Sequence, residues 1–163
     1  MVAYLTQVPM GFPGQLTRMD SQTVESYTMD PVTPPTVYGQ FVKLIAGKLQ
    51  PLASGDVASV ITGVMLYGVP TQSASNGFGA ALPPAYGIVD VLRRGFVAVA
   101  LVSGTAVKGG PVFVVTTAGT GFPVGSIVTQ AVPATGVAAV QVNDTFFEGV
   151  ADASGSVEIS YNI

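Results

Sequence analysis

Side chains able to do chemistry gather in one part of this chain, at Asp144, Glu148, Asp152 and Glu158. Paired carboxylates can hydrolyse glycosides, one as acid and the other as base or nucleophile. Clustered carboxylates can also hold calcium, but this spacing lacks the dense one-three-five oxygen pattern of a dedicated loop. The four therefore read as a polar loop and a strand flank. The chain has no Cys and no His, which removes Ser-His-Asp and Cys-His catalysis and all disulfides. Carboxylates alone favour hard cations over transition metals. Lys43, Lys48 and Lys108 sit near glycines and read as solvated turn or edge residues, whereas a catalytic lysine needs burial to lower its pKa. Gly47-Lys48 has no glycine-rich loop before it and no Ser or Thr after it, so it is no phosphate loop. Gly77-Phe78-Gly79 lacks the third glycine and the βαβ setting of a dinucleotide site. Asn143-Asp144-Thr145 matches a glycosylation sequon, but MVAYLTQVPMGFPG lacks the basic and long apolar regions of a signal peptide. No catalytic residue, cofactor or metal site is assigned.

The composition points toward association instead. Of 163 residues, 48% are hydrophobic and 9% charged, where a typical soluble protein is about 25% charged. That balance is the reverse of disorder. It leaves a surface of Ser, Thr, Gln, Ala and Val, suited to protein contacts. With six Lys and Arg and a net charge of −3, the chain lacks the basic surface that nucleic-acid binding needs. The most apolar stretch, Phe96 to Val115, is broken by Lys108, Gly109, Gly110 and Pro111, so it is no membrane helix.

The stretch Arg94 to Val115 organises the rest. It reads as strand, turn, strand. Val97, Val99 and Leu101 alternate with Ala98 and Ala100, giving one bulky and one smooth face. Ser103-Gly104-Thr105 and Lys108-Gly109-Gly110 supply turn chemistry, and Pro111 restarts the chain at a strand's first position. Around it, Thr23–Asp30 reads as an exposed or edge strand, PVTPP as an open connection, and Tyr38–Ile45 as a strand closed by the turn Ala46-Gly47-Lys48. Val57–Val69 is a long apolar run with a bulge or bend at Gly63. Pro70–Pro84 reads as a surface loop, Tyr86–Leu92 as the lead into the central strand, and Thr117–Gly125 as a turn region. Ser126–Gln130 and Val137–Val142 are short strands, the second with Ala138, Val140 and Val142 inward and Ala139 and Gln141 outward. Asp144–Gly155 is loop-like, Phe146-Phe147 a core plug or lid ahead of an exposed anchor, and Val157–Tyr161 a closing strand. About ten short strands with Gly and Pro punctuation, and no sustained helical period, indicate an all-β fold, a small sandwich or barrel-like domain. The domain spans 23–163, preceded by an extended N-terminal arm over 1–22.

The arm carries the candidate contact residues. Pro9, Gly11, Pro13 and Gly14 keep it extended, yet Tyr4, Leu5, Val8, Met10, Phe12 and Leu16 are apolar, which a purely solvated tail does not need. Such a segment gains by lying in a neighbour's groove or pairing on its sheet edge; the plainer alternative makes VAYLTQV the first strand of its own sheet. Gly-Phe-Pro recurs at Gly121-Phe122-Pro123, too short a match to count as a repeat.

The order of parts resembles the tailed-phage capsid decoration proteins known as structural cement proteins. FPGQLTRMDSQTVESYTMD resembles their arm leading into a polar strand, VYGQFVKL and ITGVMLYG the next strands, VLRRGFVAVAL with VKGGPVFVV the central unit, and GSIVTQAVPATGVAAVQVN the C-terminal pair. The chain departs from the pattern by continuing past Asn143, as an extra strand or an added contact. The resemblance implies a non-enzymatic virion protein on the outer capsid surface, assembled in the host cytoplasm. It implies a homotrimer, or less readily a homodimer, that binds the major capsid protein and stabilises contacts between neighbouring capsid subunits, without nucleic-acid or membrane partners. Read from the residues alone, a carbohydrate-binding β domain of a fibre or cell-surface protein is the alternative, and a carboxylate-only hydrolase stands third.

Overall fold

The computed structural model describes residues 11–68, 83 and 87–163. Nine strands follow in chain order: β1 Leu16–Thr28, β2 Phe41–Ile45, β3 Lys48–Pro51, β4 Ile61–Met65, β5 Ile88–Ser103, β6 Pro111–Thr117, β7 Ile127–Val128, β8 Ala138–Phe147 and β9 Ser156–Tyr161. A 3-10 turn at Ala58–Val60 is the only helical element among the described residues. The fold is all-β, as the strand spacing implied.

β5 is the axis. Its C-terminal half pairs antiparallel with β9 and parallel with β7. Antiparallel pairs β7–β6, β6–β8 and β8–β9 complete a closed five-stranded mixed barrel. Closure removes the sheet edges that would otherwise stay unpaired. Val97 and Val99 enter the barrel core with Val112, Val114, Val142, Phe147, Val157 and Ile159, and Leu101 packs against it. The alternation read from the sequence therefore holds on the bulky face. On the other face Ala98 is buried beside the Gly14–Gln15 segment that bonds its backbone, while Ala100 is exposed.

The N-terminal half of β5 carries the outer strands. β1 and β4 both pair with it, β2 joins β4, and β3 joins β2. A bridge from Met29 to Leu49 ties the end of β1 back to β3. β2 and β4 are buried on both faces: Phe41 and Val64 face the barrel core, Val42 and Met65 a second core with Met29, Tyr38, Leu49, Val89 and Val91. Burial on both sides explains why these segments are continuous apolar runs. Gly63 sits at a register shift between β2 and β4, and a Cβ there would collide with the Leu92 carbonyl oxygen. The expected bulge is present because the β5 backbone leaves no room for a side chain.

Other readings change. The run Val57–Val69 is a strand only over Ile61–Met65, since Ala58–Val60 coils into the 3-10 turn. Of Ser126–Gln130 only Ile127–Val128 is strand. In β8, Val142 and Val140 face the barrel core as expected, but Ala138 is exposed and Ala139 is buried in a small outer core with Val115, Val128 and Val137. The loops around Phe122 and Ala134 pack there and cover a face the alternation had assigned to solvent. Asp144–Gly155 is not wholly loop: β8 continues to Phe147, with Asp144 at φ 47 as an irregularity, and pairs with β9. The residues after Asn143 thus supply the closing staves of the barrel. The Pro70–Pro84 loop falls outside the described residues except for Pro83, as does Gly77-Phe78-Gly79.

Candidate functional site

The chain enters the fold through Gly11-Phe12-Pro13-Gly14-Gln15. The Gln15 N–H donates to the Phe12 carbonyl at 2.9 Å, and the Phe12 N–H donates to Gln15 Oε1 at 3.2 Å, so the segment is a tight turn. Gly14 locks that turn onto the core sheet. Its N–H donates to the Ala98 carbonyl at 2.7 Å, and its carbonyl accepts from the Tyr67 N–H at 2.8 Å. Its φ is +87, and a Cβ would sit 2.9 Å from the backbone nitrogens of Gly39 and Tyr67, so only glycine fits.

This anchoring holds the Phe12 side chain outward, 68% exposed. Its ring stacks on Tyr67 with centroids 6.4 Å apart, and Tyr67 meets Tyr38 edge-on at 5.0 Å. Burial in this ladder raises the Tyr38 phenol above its ordinary value, and the neighbouring Tyr67 adds to it. Phe12 and Tyr67 border a groove of about 450 Å³ lined also by Gly14, Gln15, Leu16, Val24, Leu66 and Asp90. Of the sequence-expected contact residues, Phe12 is presented on the surface. Leu16 is half-buried, packing against the barrel core from β1. Tyr4, Leu5, Val8 and Met10 lie outside the described residues. Tyr67 and Val24 escaped the sequence reading: Tyr67 ends an apolar run that reads as core, and Val24 stands in a polar strand.

Three of the four acidic residues, Glu148, Asp152 and Glu158, are drawn into structural contacts. Glu158 is buried on β9 and takes a two-pronged ion pair from Arg18 of β1, at 3.0 and 2.7 Å, plus the Thr17 hydroxyl at 2.5 Å. Arg18 also lies 3.7 Å from Glu148 and over the Phe96 ring at 4.0 Å. This cluster clamps the start of β1 to the barrel wall. Asp152 caps its own turn by accepting from Ser154 and Ser156. Asp144 is exposed on β8. Among the described residues, no three Asp or Glu converge where a metal could sit. Lys43 is a correction: it is buried, with its ammonium 2.7 Å from Asp56. A buried cation is tolerated there because a carboxylate neutralises it. Phe147 is a core residue and Phe146 is 40% exposed, so the pair divides between plug and surface. Within the sequon, Thr145 is fully buried. The two Gly-Phe-Pro segments do unlike jobs, Phe12 being exposed and Phe122 packing over the outer core.

The site is thus an anchored apolar projection on a closed barrel. The family model for the XM1 gp53 minor capsid protein matches residues 1–161. The chain belongs to the XM1 gp53 minor capsid protein family. It is a structural component of the phage virion capsid, in keeping with the resemblance read from its strands. A solved chain from the capsid of Myoviridae phage XM1 has the same fold, with a TM-score of 0.70 and 21% identity over 98% of this chain and 95% of that chain. No curated protein matches it.

Proposed function

We propose that this minor capsid protein is a non-enzymatic decoration, or cement, protein that binds the outer surface of the head and stabilises contacts between neighbouring major capsid subunits. The observation that carries this reading is Phe12, an aromatic ring 68% exposed on a turn rigidly bonded to the central strand. A preorganised aromatic anchor beside a groove is how protein interfaces concentrate their binding energy. Tyr4, Leu5, Val8 and Met10 extend the same apolar contact ahead of Phe12, and Leu16 supports it from the core side. The outer surface is favoured by charge. The chain carries −3 overall, and Arg18, Lys43 and Arg93, half of its six cations, are engaged in ion pairs, leaving little to face packaged nucleic acid. Self-association completes the reading: sparse surface charge permits close approach of copies, and the resemblance to the cement proteins favours a trimer ahead of a dimer.

The test is add-back to heads that lack this protein. Phe12→Ser and a chain lacking residues 1–10 should each bind at least about tenfold more weakly than the full chain, the equivalent of about 1.4 kcal/mol. Equal binding by both variants refutes the contact. Light scattering that finds only monomer at micromolar concentration refutes the trimer.

A further inference from the structure

The two-residue turn Ala46-Gly47 joins β2 to β3 and forms an exposed tip on the outer strands. Both residues have positive φ, +48 and +75, as a type I′ turn requires. Such turns favour Asn, Asp or Gly at the first position, because a Cβ is strained in that conformation. This chain places Ala there and precedes it with Leu44 and Ile45, 37% and 45% exposed. A turn that met only water would gain nothing from strained, apolar residues, and strained backbone gathers where a segment makes contacts. Ile45 pairs with Lys48 across the turn, so the two side chains stand side by side on one face. Lys48 is exposed and enters no ion pair among the described residues.

The groove beside Phe12 has the complementary character. Leu16, Val24, Leu66 and Tyr67 make it apolar, and Asp90 is the one charged residue in its lining. Asp90 accepts from the Ser26 hydroxyl at 2.6 Å and enters no ion pair among the described residues. Tip and groove stand at opposite ends of the same strands. β4 runs antiparallel to β2, with Lys43 beside Ile61 and Phe41 beside Val64, so the chain reaches Tyr67 at the end away from the turn. Ile61 to Tyr67 covers about 20 Å at about 3.3 Å per residue. A chain therefore cannot fill its own groove with its own tip.

We infer that the β2–β3 tip of one copy enters the Phe12 groove of the next, with Ile45 against the partner's Val24 and Leu66 and the Lys48 ammonium at the partner's Asp90. The contact rests on the proposed self-association and names where the copies meet. A groove of about 450 Å³ is within the range that encloses a drug-sized group, which suits a two-residue tip and its flanking side chains. The single cation of the tip meets the single carboxylate of the groove, so charge sets the orientation. Tip and groove are different surfaces, so the contact is heterologous, and a three-fold rotation closes it into the trimer. The groove then serves the neighbouring copy, and the exposed Phe12 ring at its rim serves the head.

The chain has no Cys, so cross-linking reads the contact directly. Full-length Ile45→Cys mixed with full-length Val24→Cys, in solution and on decorated heads, should oxidise to a covalent dimer at least tenfold faster than Ile45→Cys mixed with the exposed control Thr135→Cys. Each variant alone should stay uncross-linked, and a chain carrying both Ile45→Cys and Val24→Cys should give covalent trimers. Lys48→Glu and Asp90→Lys should each weaken association at least tenfold, and the two in one chain should restore it. Light scattering on the same samples separates the two readings. Oligomers without faster Ile45–Val24 cross-linking overturn this contact alone, whereas monomers alone at micromolar concentration remove the self-association and this contact with it. Dimers of Ile45→Cys by itself overturn the head-to-tail arrangement. Cross-linking seen only after residues 1–10 are deleted assigns the groove to that segment and overturns the proposal.

Discussion

Gly14→Ala isolates how firmly the Phe12 turn is held. The substitution adds one methyl group at φ +87, where an L side chain costs about 1 kcal/mol in backbone strain alone. The added Cβ would also stand 2.9 Å from two backbone nitrogens and 3.1 Å from the Met65 carbonyl oxygen, none of which is the end of a flexible side chain. Relief requires the turn to move, which breaks the bonds to Ala98 and Tyr67 at about 1 kcal/mol each. The total is about 3 kcal/mol, a fall in Tm of about 6–12 °C for a chain of this size. Gly47→Ala is the matched control. Gly47 has φ +75 in the β2–β3 turn, but no heavy atom lies within 4 Å of the place a Cβ would take. It should lose only the strain, about 1 kcal/mol and about 2–4 °C. Calorimetry on both variants reads the difference. If the two fall by the same amount within about 0.5 kcal/mol, the turn is not locked and the preorganisation argument for Phe12 fails.

Two further outcomes follow from the packing and the ion pairs. Phe147→Ala removes a fully buried ring from the barrel core and should cost about 3–5 kcal/mol by denaturant titration, whereas Phe146→Ala, on the surface, should change stability little. Burial pushes the Asp56 carboxyl up, but the Ala53 N–H and the Lys43 ammonium outweigh it and hold the group below its ordinary 3.8. Its ionised form therefore stabilises the fold fully above pH 3.8, and that stability is lost as pH falls through the lowered folded value. Asp56→Asn should flatten the acid limb of the stability profile below pH 3.8, and an unchanged acid limb refutes the assignment.

The parts of this fold written in local pattern were legible from the sequence. Alternation marked β5, Pro111 marked the start of β6, and Gly63 marked the bulge, because each reflects a constraint within a few residues. β1 was legible over Thr23–Thr28 as an edge strand but not from Leu16, where its partner is a distant part of β5 and the intervening bulge hides the period. β8 past Asn143 was missed because Asp144 and Thr145 read as loop, although Thr145 is buried against β9. Lys43 was misread because its partner, Asp56, lies across a loop with no periodic relation to it. At the candidate site the apolar residues ahead of β1 pointed to Phe12, while the platform beneath it depends on Tyr67 arriving from β4's far end. The Arg18–Glu158 clamp joins residues 140 apart, and no local rule reports such a pair.

β5 also has a mechanical consequence. The strand is 16 residues long, about 50 Å of continuous backbone, and belongs to both the barrel and the outer strands. Hydrogen bonds of an antiparallel ladder lie across the strand axis. A pull directed along β5 therefore loads the rungs to β1 and β9 together, whereas a pull across it opens them one at a time. Tension entering at the Phe12 turn passes through the bonds to Ala98 into the middle of this beam. On the proposed attachment to the head, a shell strained by its contents would meet its stiffest response with the β5 axis along the direction of stretch, so the orientation of the domain would matter alongside the strength of its contact.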